Sequence, residues 1–386
     1  MLGALTSSTG IWMLRLGQTL TLLQVPGVTG WSVGALAALQ TAPLIVLAPV
    51  VGLLSDRVHR LRLLVVGQLS MAGVAVVEAW SSLTGRSSVT QSLVLAAVLG
   101  CAAALDHPVR TSAVADLVAV PDLPRAVGSV VLTTQLGRVL GPAACAALTA
   151  VRGTSAVFLA CIGLFLAFAA VLLTGVRQGR SPSRAGGGFR AARRALREDP
   201  TLLVVLWFVG CGGLVGPNLT TLATLTVGLE LGGGALEVSA AALALAVGAV
   251  IGAGATSIGR RGPTLRSVGV ATAACGVTAA ASGAAPSHPV YLGALVLCGA
   301  TALFMASQAG ALVQVRVPED VRGLVTALFS VALIAGVPVG APLMGWGADV
   351  LGPRLTAGVS GLLVVCGALA GAAYLRWGPA RRRRPA

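Results

Sequence analysis

Two arginines, Arg15 and Arg138, stand near the middle of long apolar runs, each with a glutamine on the same helical face: Gln18 three residues after Arg15, and Gln135 three residues before Arg138. Charge inside an apolar run of membrane length is costly and by default marks a pathway or a ligand site. A guanidinium with no carboxylate near it in sequence calls for an anion or a set of acceptor oxygens. The pair therefore reads as a site for a small molecule bearing carboxylate, phenolate, catecholate or several carbonyl groups. An equally good reading has both arginines bonding helix carbonyls or Asp106 and only shaping a cavity. Asn218 and Gln308 add neutral hydrogen-bonding groups to the same candidate cavity, with Trp12, Trp207 and Phe208 as apolar or stacking surface.

The carboxylates sit elsewhere. Asp106 falls in the inner third of one apolar run and Glu78 near the outer end of another. Coupling to protons needs a group that is protonated in one state and not in the other. Asp106 is the first candidate and Glu78 the second; the competing reading of Asp106 is structural, locked to Arg110 or Arg57. His107, beside Pro108, reads as a hydrogen-bonded residue at a helix break. Hydrolytic chemistry is not legible: only three histidines occur, no His-Glu-x-x-His or Ser/His/Asp set is present, and the seven cysteines lie singly in apolar runs. Every one of the 27 basic residues is arginine, so no Gly-x-x-x-x-Gly-Lys phosphate loop exists. The expectation is no enzyme, no metal and no cofactor.

What must position these residues follows from composition. Hydrophobic residues make up 56% of the 386-residue chain and charged residues 10%, against roughly 25% charged in soluble domains. Apolar stretches of about 20 residues recur throughout, each long enough to cross a hydrocarbon core of about 30 Å. Continuous runs rather than short alternating ones exclude a β-barrel. Breaks between runs predict helices near 4–25, 32–54, 63–83, 91–112, 126–149, 155–175, 201–226, 237–258, 267–285, 290–314, 324–346 and 355–375. The fold class expected is an all-α polytopic membrane protein of twelve transmembrane helices.

Arginine placement orients them. Alternate loops, including Arg57, Arg60, Arg62 and Arg110, carry 22 of the arginines, the opposite loops only Arg86, Arg152 and Arg354. Under the positive-inside rule both termini lie in the cytoplasm, with Met1 leading almost directly into the first helix. The basic segment 176–200 separates a half at 1–175 from a half at 201–375, and 376–386 forms a basic tail. In a chain this hydrophobic, these segments read as anchors for anionic membrane lipids, not as nucleic-acid patches.

The halves repeat. Pro121 and Arg125 recur as Pro318 and Arg322, each pair 197 apart, and Gly137-x-x-x-Gly141-Pro142 recurs as Gly336-x-x-x-Gly340-Ala-Pro342, its glycines 199 apart. Parallel repeats of six helices describe the two halves of a major facilitator transporter. The loop GLLSDRVHRLR at 52–62 resembles the signature loop of that superfamily, with Gly52, Asp56, Arg57, Arg60 and Arg62 on the matching positions. The segments 9–24, 39–57, 105–110, 136–143 and 317–323 extend the resemblance to the bacterial branch of enterobactin exporters and related drug efflux proteins.

That resemblance implies a proton-coupled exporter of drugs, siderophores or other secondary metabolites, acting as a functional monomer in the cytoplasmic membrane by rocking its halves. It also implies a cytoplasmic gate of Asp56, Arg57, Asp106 and Arg110, and helix bending at Gly137, Gly141, Pro142, Gly336, Gly340 and Pro342. Two departures stand against the pattern. Cys145 and Ala146 replace the last glycines of the antiporter motif, and the second-half loop, GRRGPTLR at 259–266, has no aspartate. Uptake of an organic anion fits the same fold, and a non-transporting membrane receptor is the reading from another class.

Overall fold

The computed structural model describes residues 2–48, 50–51, 54, 58–117, 123–174, 199–258, 262–317 and 319–377. Gly52, Asp56 and Arg57 of the signature loop lie outside the described residues, as do nearly all of the central basic segment and of the basic tail.

Among the described residues the chain is helical, without strands. The first half comprises α1 (Leu2–Leu23), α2 (Gly30–Val46), α3 (Arg60–Thr84), α4 (Val89–Leu117), α5 (Leu123–Arg152) and α6 (Thr154–Thr174). The second comprises α7 (Pro200–Val215), α8 (Leu219–Leu225) with a π-helical turn at Thr226–Glu230, α9 (Ala235–Ile258), α10 (Leu265–Gly283), α11 (His288–Arg316), α12 (Glu319–Ile334), α13 (Gly336–Leu351) and α14 (Pro353–Trp377). Taken as broken crossings, α7 with α8 and α12 with α13 complete the twelve expected spans. Eight spans pass a strict test of length and apolarity. Of the other four, α2 is apolar but short, α1 and α5 are the helices that carry the mid-run arginines and glutamines, and α10 is the fourth.

Helix ends follow local chemistry. Capping boxes of Thr29 with Ser32 and of Thr264 with Ser267 start α2 and α10. Asp199 caps α7 ahead of Pro200. Gly85, at φ +65°, ends α3 in the left-handed conformation that favours glycine.

Two helices expected to be continuous are broken. The seventh span stops at Val215 because Pro217 has no N–H for the carbonyl of Gly213 and its ring crowds that oxygen. Pro338 acts likewise on Ile334, the last residue of α12. The helices run through Pro142 and Pro342, so the interruption in the eleventh span lies at Ala335, just before Gly336.

The chain divides into two compact units, Met1–Ser183 with Val227–Leu243, and Arg184–Thr226 with Ala244–Ala386. In the first, α1 packs on α5 and α6, α3 on α4 and α6, and α2 on α4. Glycines on α1 at a spacing of seven, Gly3, Gly10 and Gly17, leave flat ground for Phe168, Phe165 and Phe158 of α6. On the α5 side, a methyl group at Gly137 would stand 2.7 Å from the carbonyl carbon of Ser8, and one at Gly141 would stand 2.6 Å from Cβ of Trp12.

The second unit repeats this contact internally. A methyl group at Gly336 would overlap the backbone of Gly213, and one at Gly340 would stand 2.8 Å from the carbonyl oxygen of Leu214. The repeated glycine pairs thus do the same work in each half: they let the fifth and eleventh spans lie against the backbones of the first and seventh.

Candidate substrate-binding and coupling site

Helix α1 is clamped by α5 and α6, which sets the direction of its remaining side chains. Gly141 makes room for Trp12, and Arg138, one turn earlier on α5, lies over the Trp12 ring with its guanidinium carbon 5.0 Å from the ring centre. Arg15, one turn along α1, approaches the same ring at 5.5 Å. Two cations thus converge on one indole, an arrangement that the quadrupole of the ring favours. Neither forms an ion pair with a carboxylate among the described residues. Arg15 donates from Nη2 to the carbonyl oxygen of Gln40 at 3.1 Å, while its buried Nε has no hydrogen-bond partner. Both arginines and Trp12 are half-buried. The chemistry on offer is a pair of planar cations beside an aromatic face, with donors to spare for an anion.

Gln18, expected to line a cavity, is instead fully buried, its amide held on both sides. Its Nε2 donates to Oε1 of Glu78 at 3.0 Å, and its Oε1 accepts from Nε2 of Gln40 at 2.9 Å. Glu78, 1% exposed, is thereby joined to α1 and α2. Asn218 corrects the same expectation. It is also fully buried, and its Nδ2 bonds the carbonyl oxygens of Leu214 at 2.7 Å and Gly336 at 3.1 Å. It ties the end of α7 to the start of α13, beside both helix breaks. Gln135 and Gln308 are half-buried on α5 and α11.

Asp106 and Arg110 form a buried ion pair one turn apart on α4. Gln68 of α3 donates to the Oδ1 of Asp106 at 2.8 Å. Arg110 reaches α1, donating to the carbonyl oxygen of Ala4 at 3.0 Å and to the hydroxyls of Ser8 and Ser7 at 2.9 Å each, with its guanidinium 5.4 Å from the Phe168 ring centre. Arg110 therefore joins α4 to α1; Asp56 and Arg57, its partners in the gate that the resemblance implied, lie outside the described residues. Arg60 is half-buried and Arg62 exposed at the start of α3. In the second unit, Arg316 pairs with Asp199 at 3.5 Å and with the hydroxyl of Thr201 at 3.2 Å, fastening the end of α11 to the start of α7.

Three polar partners in these networks escaped the sequence reading: Gln40, Gln68 and the Ser7–Ser8 pair. Each lies within an apolar run, so the criterion that found Gln18 would have found them. What the sequence could not supply was their partners, 22 to 103 residues away. Among the described residues no group of three or more acidic, histidine or cysteine side chains is placed to hold a metal.

The model of one family, the Major Facilitator Superfamily, matches residues 1–333. The chain belongs to the Major Facilitator Superfamily. Among curated proteins none matches the sequence. Solved structures with the same fold include a nucleoside transporter, NupG (TM-score 0.74, 11% identity, 97% of this chain and 98% of that one). They also include a bacterial homologue of the human lysosomal transporter Spinster, in an inward-facing and occupied conformation (TM-score 0.75, 14% identity, 99% and 98%). A D-xylose–proton symporter matches at a TM-score of 0.70, with 15% identity over 95% and 96%. This major facilitator is thus a multi-pass integral membrane protein with the fold of small-molecule transporters. At such identities the likeness carries the fold and not the substrate.

Proposed function

We propose that this major facilitator is a secondary active transporter for an anionic or oxygen-rich small molecule, coupled to protons and working by alternating access. The observation that carries the reading is the convergence of Arg15 and Arg138 on Trp12, with no carboxylate paired to either among the described residues and a buried Nε left over. A carboxylate, phenolate or catecholate bound there gains charge-assisted hydrogen bonds, and a flat ring beside it gains stacking surface. Gln135, on the arginine face of α5, is a further candidate for contact with substrate. Asp106 and Glu78 are the candidate proton carriers. Arginine asymmetry between loops supports a cytoplasmic-membrane location with both termini inside.

Export, as of drugs or siderophores, is the direction that the resemblance implies. Uptake of an organic anion is the second reading, and the buried acid Glu78 beside the arginine network favours it. Proteoliposomes carrying the purified protein, an imposed pH gradient and carboxylate, phenolate and catecholate probes test the reading. Movement of a probe against its own gradient, lost when the pH gradient is collapsed, is the expected result. No uphill movement of any of them sinks it.

A further inference from the structure

Among the described residues Asp106 and Glu78 are the two buried acids of the first unit, and their surroundings differ in kind. Asp106 faces Arg110 and Gln68, so its charge is matched within the fold. Glu78 is 1% exposed, has Gln18 as its hydrogen-bond partner and forms no ion pair among the described residues. Among the side chains described, the titratable or charged groups on the helices packed against α3 are Arg15 on α1, Cys101 and the Asp106–Arg110 pair on α4, and Cys161 on α6, whose thiol bonds the carbonyl oxygen of Gly10; His107 and Asp116 of α4 lie outside them. Of these, Arg15 alone is an unpaired cation.

Glu78 and Arg15 meet at Gln40, one through its side chain and the other at its main-chain carbonyl. Gln18 Nε2 donates to Glu78, Gln40 Nε2 donates to Gln18 Oε1, and Arg15 Nη2 donates to the Gln40 carbonyl oxygen. An ionised carboxylate only accepts, so it fixes Gln18 with its NH2 toward α3 and its oxygen toward Gln40. A protonated carboxyl can donate, which turns the Gln18 amide and presents its NH2 to Gln40, whose own amide must then turn its oxygen to Gln18. The helix that carries Gln40 also carries the carbonyl on which Arg15 rests.

We propose that Glu78 is the proton site of the transporter and that the Gln18–Gln40 relay links it to the anion site at Arg15, so that a proton on Glu78 strengthens anion binding. The proposal rests on the anion reading of the site. Its sign follows from charge: an ionised Glu78 repels the anion that Arg15 attracts, and a protonated one does not. Linkage is reciprocal, so bound anion favours the protonated acid. Proton and anion then occupy the protein together and cross together, which selects uptake over export under an inward proton gradient.

The test is calorimetric binding of 5-sulfosalicylate, doubly ionised throughout, to the purified full-length protein from pH 5 to pH 8. Wild type should bind about tenfold more tightly at the acid end, the effect of a unit charge ~10 Å away at an effective dielectric of ~20. Glu78→Gln should bind with the acid-end affinity at every pH. Gln18→Leu, which removes the relay and leaves the charge of Glu78 in place, should keep the direct electrostatic part of the pH dependence and lose the part the relay adds; Glu78→Leu stands in for Glu78→Gln if that variant does not fold. A pH dependence unchanged in the Glu78 variant or in Gln18→Leu, or none in wild type, overturns this proposal and leaves the anion site standing. Absence of binding to wild type at any pH overturns the anion site itself.

Discussion

The Arg138 guanidinium on α5 stands 5.0 Å from the centre of the Trp12 ring on α1, a contact that exists because Gly141, one turn along α5, lets the two helices close on each other. Charge, aromatic surface and helix packing are thus set by one crossing.

If that crossing holds the substrate, both arginines are needed. Arg15→Ala and Arg138→Ala should each weaken 5-sulfosalicylate binding by roughly 10- to 100-fold, the worth of about 1.5–3 kcal/mol in hydrogen bonds to a charged group. Arg138→Lys should recover only part, since a point charge neither stacks on Trp12 nor forks onto a carboxylate. Unaltered binding in both alanine variants, at normal membrane levels, would remove the substrate role.

The crossing also sets stability. Gly141→Val and Gly336→Val push side chains into the backbones of α1 and α7, and each should cost about 1–3 kcal/mol, read as a fall in the melting temperature of the solubilised protein. Gly73→Ala and Gly163→Ala meet nothing within 4 Å and serve as controls. Equal melting temperatures for all four would refute the repeated role assigned to the glycine pairs.

The Asp106–Arg110 pair is buried, its side chains 5% and 6% exposed. Asp106→Ala leaves the guanidinium uncompensated and should cost about 3–5 kcal/mol. Removing both charges, as Asp106→Leu with Arg110→Leu, should restore much of the loss in a thermal melt. A double variant no more stable than Asp106→Ala would argue that Arg110 acts chiefly through Ser7, Ser8 and Ala4.

For the signature loop, Asp56→Asn should slow turnover more than it weakens binding, measured by comparing transport rate with probe affinity. For topology, a fluorescent protein that matures only in the cytoplasm should light up when fused after Ala386. A dark fusion at normal expression would reverse the orientation read from the arginines.

Much of this was legible before folding. Membrane solvent, helix number and type, and the spacing of Gly137 with Gly141 and Gly336 with Gly340 are local or periodic properties, and a chain carries those openly. The broken spans were legible in part: Pro217 and Pro338 stand in the sequence, but apolar continuity outweighed them. Which polar groups meet was not legible. Gln18 and Asn218 looked like open cavity groups because polarity within an apolar run marks cost, not direction. Only the packing of α1 against α2, α3, α4 and α5 decided that Gln18 joins Glu78, that Arg110 turns to α1, and that Arg15 and Arg138 share one indole. Hydrogen bonds and cation–π contacts need partners within a few ångströms, and residues 60 to 126 positions apart reach that distance only through tertiary structure.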